Sequence, residues 1–224
     1  MENLLKNTTA LARAVCQNYI DAFRKSADKN GPLIAVDATC GNGHDALWLA
    51  EVCDRVYAFD IQPEAVKTTA ELLGAHNRSG KVELFCESHA DMKSRVPEKA
   101  AVIVFNLGYL PGGDKGITTR TESTLCALQA ALELLRVDGL LCVTVYWGHP
   151  SGREEREAVL GWAKNHLPLR SYRHAEPAEL PAGDRADNEE KRGINGMNSP
   201  IVGQVYPYRR KDGVYVVPVG CLKD

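Results

Sequence analysis

No apolar run in this 224-residue chain is long enough to cross a bilayer. The N-terminus, "MENLLKNTTALARAV", lacks a basic head followed by an apolar block, so no secretory signal is expected. The seven cysteines (Cys16, Cys40, Cys53, Cys86, Cys126, Cys142 and Cys221) are odd in number and contain no C-x-x-C pair. That excludes a disulfide framework and predicts reduced, mostly buried thiols in a cytoplasmic protein. The six histidines show no ligand spacing, so no metal is expected. Nor is there a basic excess. The net charge is −2, and any contact with nucleic acid must come from a local patch. Internal repeats and a second domain are also lacking. With 44% hydrophobic residues, the chain can bury one core of ordinary size, and residues 1–224 read as a single domain.

What is present alternates. Leu4, Leu11, Ala12, Val15, Tyr19 and Phe23 have helical spacing, which predicts an N-terminal helix within residues 1–25. "LIAVDA" (33–38), "RVYAFD" (55–60), "KVELFC" (81–86), "AVIVFN" (101–106) and "LLCVTVYW" (140–147) are short apolar runs of the kind buried in a parallel sheet. Helical patterns separate them: His44 to Val52, Pro63 to Leu73, and a segment with Leu125, Leu128, Leu132 and Leu135 on one face. Thr119 and Glu122 have capping-box spacing at the start of that third helix, and Asp138-Gly139 is expected to end it. "GREEREAVLGWAKNHL" predicts another helix. The pattern implies an α/β, Rossmann-like fold: a mostly parallel twisted sheet with helices on both faces. Residues 176–193 are polar and Pro/Gly-containing, and read as a mobile loop. "PIVGQVYPYRR" and "GVYVVPVG" around "KDG" predict an antiparallel C-terminal hairpin.

In an open α/β sheet, ligands sit beyond the carboxyl ends of the strands, and the turn after the first strand is the expected place. Here that turn is "VDATCGNGHD". Gly41 and Gly43 allow close approach of backbone to a ligand. Without a ligand they would simply form a tight turn. The pattern D-x-T-x-G-N-G is not the G-x-G-x-x-G of a dinucleotide site. Asp37 before the turn and Asp45 after it would repel a diphosphate and suit a cationic end. Asp60, at the end of the second strand, is placed to accept hydrogen bonds from a ribose diol. A ribose at one end and a cationic amino-acid group at the other describe S-adenosylmethionine (SAM). The order of acid, glycine turn, helix, strand and acid also resembles class I methyltransferases. Ile61 and Gln62 would then flank the adenine, with Ser88 and His89 near its exocyclic amine.

The fourth strand ends in "FNLGYLPGGDK" (105–115). This resembles the N-P-P-Y signature of amino-group methyltransferases, with Leu107 and Gly108 in place of the prolines. The Asn106 side-chain carbonyl and the next backbone carbonyl can accept hydrogen bonds from an amine and aim its lone pair, which is catalysis by positioning. Tyr109 could line the slot. An alkylammonium must lose a proton before attack, which gives Asp114 a candidate role. A plain Gly/Pro loop with Lys115 exposed is the alternative.

Together, "VDATCGNGHDALWLA", "YAFDIQPEAV", "SHADM", "VFNLGYLPGGDKGITT" and "VYWGHPSGREEREAV" resemble a family once grouped as rRNA methylases. Its characterised members are the bacterial tRNA 5-(aminomethyl)-2-thiouridine methyltransferases (MnmM). The resemblance covers about residues 30–165, with a weak match at "INGMNSPIV" (194–202). The 176–193 loop and the 209–224 tail depart from it. It implies a SAM-dependent enzyme that converts the aminomethyl group of a wobble uridine to methylaminomethyl, with the tRNA anticodon stem-loop as partner. By motif, SAM contacts fall on Asn42, Gly43, Asp45, Asp60, Gln62, Ser88 and His89, with Asp37 and Thr39 shaping the turn. Asn106, Tyr109, Pro111, Gly112, Gly113 and Asp114 would line the uridine site. His149 in "YWGHP" is placed for substrate contact or proton transfer, or for a structural role. Lys115 and Arg120 beside the cleft, Arg153 and Arg156, and Arg209, Arg210 and Lys211 are candidates for a tRNA patch. Three other readings stand beside this one: a methyltransferase of another amine (rRNA base, protein or small molecule), a nicotinamide-dependent Rossmann enzyme, and a non-catalytic SAM-binding protein. Oligomeric state is left open, a homodimer included.

Overall fold

The computed structural model describes residues 8–25, 31–146, 152–166, 206–210, 213–217 and 219–220. Helix α1 spans Thr8–Lys25 and precedes strand β1, Ile34–Asp37. Helix α2 (His44–Val52), β2 (Arg55–Phe59), α3 (Pro63–Ala75) and β3 (Val82–Phe85) follow. A one-turn 3-10 helix at His89–Asp91 runs into the short α4 (Met92–Arg95). Then come β4 (Ala100–Leu107), α5 (Thr121–Leu134), β5 (Leu135–Tyr146) and α6 (Gly152–His166). The chain returns in β6 (Tyr206–Arg210), β7 (Gly213–Val217) and β8 (Val219–Gly220).

The sheet runs in the order β3-β2-β1-β4-β5-β7-β6, with β8 beside β5. Strands β1 to β5 are all parallel to their neighbours. Strand β7 lies parallel to β5, and β6 pairs antiparallel with β7 from Tyr206↔Val217 to Arg210↔Gly213. The expected 176–193 loop and, within the 209–224 tail, residues 211, 212, 218 and 221–224 lie outside the described residues.

Alternation along the strands makes two cores. Ile34, Val36, Ile103, Phe105 and Leu107 face one side, packed with Leu128 of α5 and Val159 and Trp162 of α6. Ala35, Val102 and Val104 face the other, with Ile20 of α1, Leu49 of α2 and Leu73 of α3. Each such Leu, Ile, Val or Phe contributes roughly 1.5–3 kcal/mol on burial, which is why both faces of the central strands are apolar. Pro63 sits in the first turn of α3, where its missing N–H costs nothing.

Two sequence expectations need correction. Helix α5 has Arg120 at its N-cap with no side-chain cap bond, and Thr119 is not its cap. The Thr119 hydroxyl instead donates to Glu155 of α6 at 2.7 Å, and Thr124 donates to the same carboxylate at 2.6 Å. Asp138-Gly139 does not end the helix either. Strand β5 already begins at Leu135, and its register with β4 jumps from Ala100↔Leu135 to Val102↔Leu140. Gly139 sits in this bulge because a Cβ there would lie 2.5 Å from Leu135 Cγ. Of the six described cysteines, Cys86 and Cys126 are exposed and four are buried.

Candidate active site

A cavity of about 690 Å³ opens at the carboxyl ends of β1, β2 and β4, where the strand order reverses. Its floor is the turn after β1. The Cys40 N–H donates to Phe59 O at 2.8 Å, and the Gly43 N–H returns to Cys40 O at 2.7 Å. Gly43 is left-handed (φ 82°) and caps α2. Asp60, just past β2, receives the Gly41 N–H on Oδ2 at 3.0 Å and the Gln62 N–H on Oδ1 at 2.9 Å. Burial pushes its carboxyl up, and the N–H groups of Gln62, Gly41 and Ile61 oppose that shift. Thr39, Gly41, Asn42, Asp45, Asp60, Ile61, Gln62, Ser88 and His89 all line the cavity.

Asp37 and Gly43 do not line it. Asp37 is fully buried beneath the turn, with the Thr39 N–H on Oδ1 at 3.2 Å and no partner for Oδ2 among the described residues. Burial, and next the Asp45 charge, hold its carboxyl well above the usual range. Ser88 accepts the Ala90 N–H at 3.2 Å and so starts the 3-10 turn that carries His89. The His89 ring is buried against Phe105, and burial lowers its pKa to about 4.

The acceptor side is built on the end of β4. The Asn106 N–H donates to Thr39 Oγ1 at 2.7 Å, and its side-chain Nδ2 donates to Asp45 Oδ2, also at 2.7 Å. The loop beyond closes on itself. The Thr119 N–H donates to Gly108 O at 2.8 Å, and Tyr109 bridges to Thr118. Asn42 Nδ2 donates to Pro111 O at 3.1 Å and ties this loop to the glycine turn. Asn106, Gly108, Tyr109, Pro111 and Arg120 line the cavity.

Leu107, Gly112, Gly113, Asp114 and Lys115 do not. Leu107 is buried in the core on the α5–α6 side. Gly112 to Lys115 form the exposed outer turn. There the Asp114 carboxylate accepts the Gly116 N–H at 2.8 Å, and the Lys115 ammonium lies 5.6 Å from the Tyr109 ring centre. His149 lies outside the described residues, as do Lys211 and the side chains of Arg209 and Arg210; Arg153 and Arg156 lie on α6.

The structure adds residues that the motifs miss. Thr9 and Arg13 of α1 line the cavity, as does Tyr146 at the end of β5. Thr9 Oγ1 and Tyr146 OH are hydrogen-bonded at 2.7 Å, and Arg13 Nε donates to Asp45 Oδ1 at 2.5 Å. Helical spacing puts Thr9 and Arg13 on one face, but nothing local marks that face as a cavity wall. Among the described residues, no group of three or more His, Cys, Asp or Glu is placed to hold a metal ion. No described helix is long and apolar enough to cross a membrane.

A parallel five-strand core in the order β3-β2-β1-β4-β5, with the cavity at the β1/β4 reversal, is the α/β fold of class I methyltransferases. The chain belongs to the family described as "Putative rRNA methylase", whose model matches residues 56–181. A "putative rRNA-methylase" from Clostridium thermocellum superposes with a TM-score of 0.59 at 36% identity, covering 67% of this chain and 81% of that one. A "putative methyltransferase" from Streptococcus mutans in complex with SAH gives 0.58 at 36% identity, covering 68% and 82%. The tRNA (mnm(5)s(2)U34)-methyltransferase, chloroplastic, of Arabidopsis thaliana is 45% identical over 137 residues, 55% of this chain and 50% of that protein. The chain thus spans about half the length of that curated relative.

Proposed function

We propose that this chain is a SAM-dependent N-methyltransferase that methylates the 5-aminomethyl group of a wobble (thio)uridine in tRNA. The observation that carries the reading is the Asn106 amide. Its Nδ2 donates one hydrogen to Asp45 Oδ2, which fixes the amide so that its carbonyl end is the group free to accept hydrogen bonds in the cavity. A site that accepts suits an amine that donates. The name of the Arabidopsis relative and the SAH in the Streptococcus structure support the same reading.

The residues present suit SAM. The cavity volume lies within the range of about 300–1,000 Å³ usual for small-molecule sites. The Asp60 oxygens accept the Gly41 and Gln62 N–H groups and keep lone pairs for a ribose hydroxyl. Ile61, 56% exposed, offers an apolar flank for the adenine. His89, with a pKa of about 4, stays neutral at pH 7 in the same wall. When bound, SAM supplies a methyl group on a cationic sulfonium. The chain's own part is to hold the amine by Asn106 with its lone pair directed at that methyl. Asp45, bonded to Asn106 itself, is the carboxylate beside the acceptor, whereas Asp114 serves the outer turn of the loop. Arg120, exposed at the cavity, is the cation best placed for an RNA phosphate.

The test is mass spectrometry of nucleosides after incubation with SAM and tRNA bearing the aminomethyl group. A gain of one methyl on the wobble nucleoside is expected. No gain on tRNA but methylation of rRNA or a protein amine would transfer the assignment to the second acceptor class. Binding of a nicotinamide cofactor in place of SAM would overturn both.

A further inference from the structure

We propose that Arg13 is a positioning residue of the acceptor site: through Asp45 it holds the Asn106 amide in its amine-accepting orientation. The proposal rests on the methyltransferase reading above.

An asparagine amide has a donor end and an acceptor end of nearly the same shape. Reversing it would exchange the group that accepts an amine for one that repels it. Something must decide between the two. Asp45 does so, because a carboxylate only accepts: it takes Asn106 Nδ2 on Oδ2 at 2.7 Å, and a reversed amide would set oxygen against oxygen. Yet a carboxylate at the end of a short side chain turns easily about its terminal torsion. Its other oxygen needs an anchor, and Arg13 Nε supplies it at 2.5 Å. The two oxygens are thereby divided between a guanidinium and the Asn106 amide. Asp45 also lies in the first turn of α2, where the helix N-terminus favours negative charge.

The geometry allows Arg13 to be removed without removing its helix. Its side chain is 35% exposed, and α1 keeps both its buried face (Cys16, Ile20, Phe23) and the bond from Thr9 to Tyr146. The guanidinium also lies 5.9 Å from the Trp48 ring centre, so its stem has an apolar neighbour that a methionine can still cover.

The experiment uses the full chain with Arg13→Met, Arg13→Lys and Asp45→Asn. Single-turnover methyl transfer to aminomethyl-bearing tRNA is measured at saturating SAM, with SAM affinity by calorimetry. The Asn106 side-chain N–H pair, assigned by its loss in Asn106→Ala, is followed in the 15N NMR spectrum. Arg13→Met should slow transfer about tenfold and leave SAM affinity within about threefold. It should also move the Asn106 pair toward the position of a free amide. Arg13→Lys should recover part of the rate, since it restores a charge but not the fixed fork. Asp45→Asn should lose at least as much as Arg13→Met, because either end of its amide can face Asn106. An Arg13→Met protein with the wild-type rate and an unmoved Asn106 pair overturns the proposal. So does a loss of rate fully matched by a loss of SAM affinity. If wild-type protein transfers no methyl group to any amine, the functional reading falls, while the Asn106 signal still decides whether Arg13 orients the amide.

Discussion

Replacing Gly43 with alanine should cost about 2–5 kcal/mol of stability and weaken SAM binding with it. Two effects contribute. Gly43 sits at φ 82°, ψ 5°, and a left-handed L-residue costs roughly 1–2 kcal/mol. A Cβ there would also lie 2.8 Å from Thr69 Oγ1 and 2.9 Å from Thr69 Cα. The second contact is with backbone, so α3 or the turn itself must shift, and overpacking of this kind costs about 1–3 kcal/mol. At roughly 2–4 °C per kcal/mol for a chain of this size, the thermal midpoint should fall by about 4–20 °C. The shift reaches the cofactor wall because Thr69 Oγ1 donates to Gly41 O at 2.9 Å and the Gly41 N–H binds Asp60. Gly112→Ala separates the two effects. Gly112 has φ 79° but nothing within 4 Å of its Cβ position, so it should show only the backbone cost of about 1–2 kcal/mol. Denaturant unfolding gives both losses, and calorimetry gives SAM affinity. Equal losses for the two variants, or a Gly43→Ala protein with wild-type SAM affinity, would refute the reasoning.

Asp60→Ala should weaken SAM about tenfold or more, since charge-assisted hydrogen bonds are worth roughly 1.5–3 kcal/mol; an unchanged calorimetric Kd would remove Asp60 from the ribose site. His89 titrates at about 4 in the fold against 6.5 for the free side chain, so the native chain binds fewer protons between those values. Its share of stability is present above pH 6.5 and is lost as the pH falls toward 4, a change of about 3 kcal/mol. The stability of wild type minus that of His89→Leu should therefore fall as the pH drops through that window, and a constant difference would contradict the burial argument; differencing removes the opposite contribution of Asp37 and Asp60, whose carboxyls are raised. Thr144 Oγ1 is buried with no partner among the described residues, so Thr144→Val should be neutral or stabilising by about 1 kcal/mol, and a clear loss in denaturant unfolding would reveal a hidden partner. Arg120→Ala should weaken tRNA binding and reduce its log–log salt slope by about 0.7–0.9, the share of one phosphate contact, with SAM affinity unchanged; a wild-type slope would take Arg120 out of the interface.

The sequence by itself determined the layers and the floor of the site. Apolar runs too short for helices, separated by 3.6-periodic segments, specify a parallel sheet covered on both faces; α2 begins and ends where its pattern does, at His44 and Val52. Asp60, Gln62 and Asn106 were legible for the same reason: each stands at or just beyond the carboxyl end of a strand, and chain order alone says which ends meet. Tertiary structure decided what depends on partners distant in sequence. Thr119 has the spacing of a helix cap, yet its hydroxyl goes to Glu155, buried 36 residues on. Gly139 resembles a helix stop but serves a bulge, because Leu135 occupies the space its side chain would need. Asp114 carries the right chemistry for a base and spends it on its own loop. Arg13 gave no local sign of a role, since its partner lies 32 residues away on another helix. Periodicity reports which face of an element is buried. It does not report which polar atoms the packing brings within hydrogen-bond reach, because that depends on the separation and rotation of whole elements, set only when both cores close.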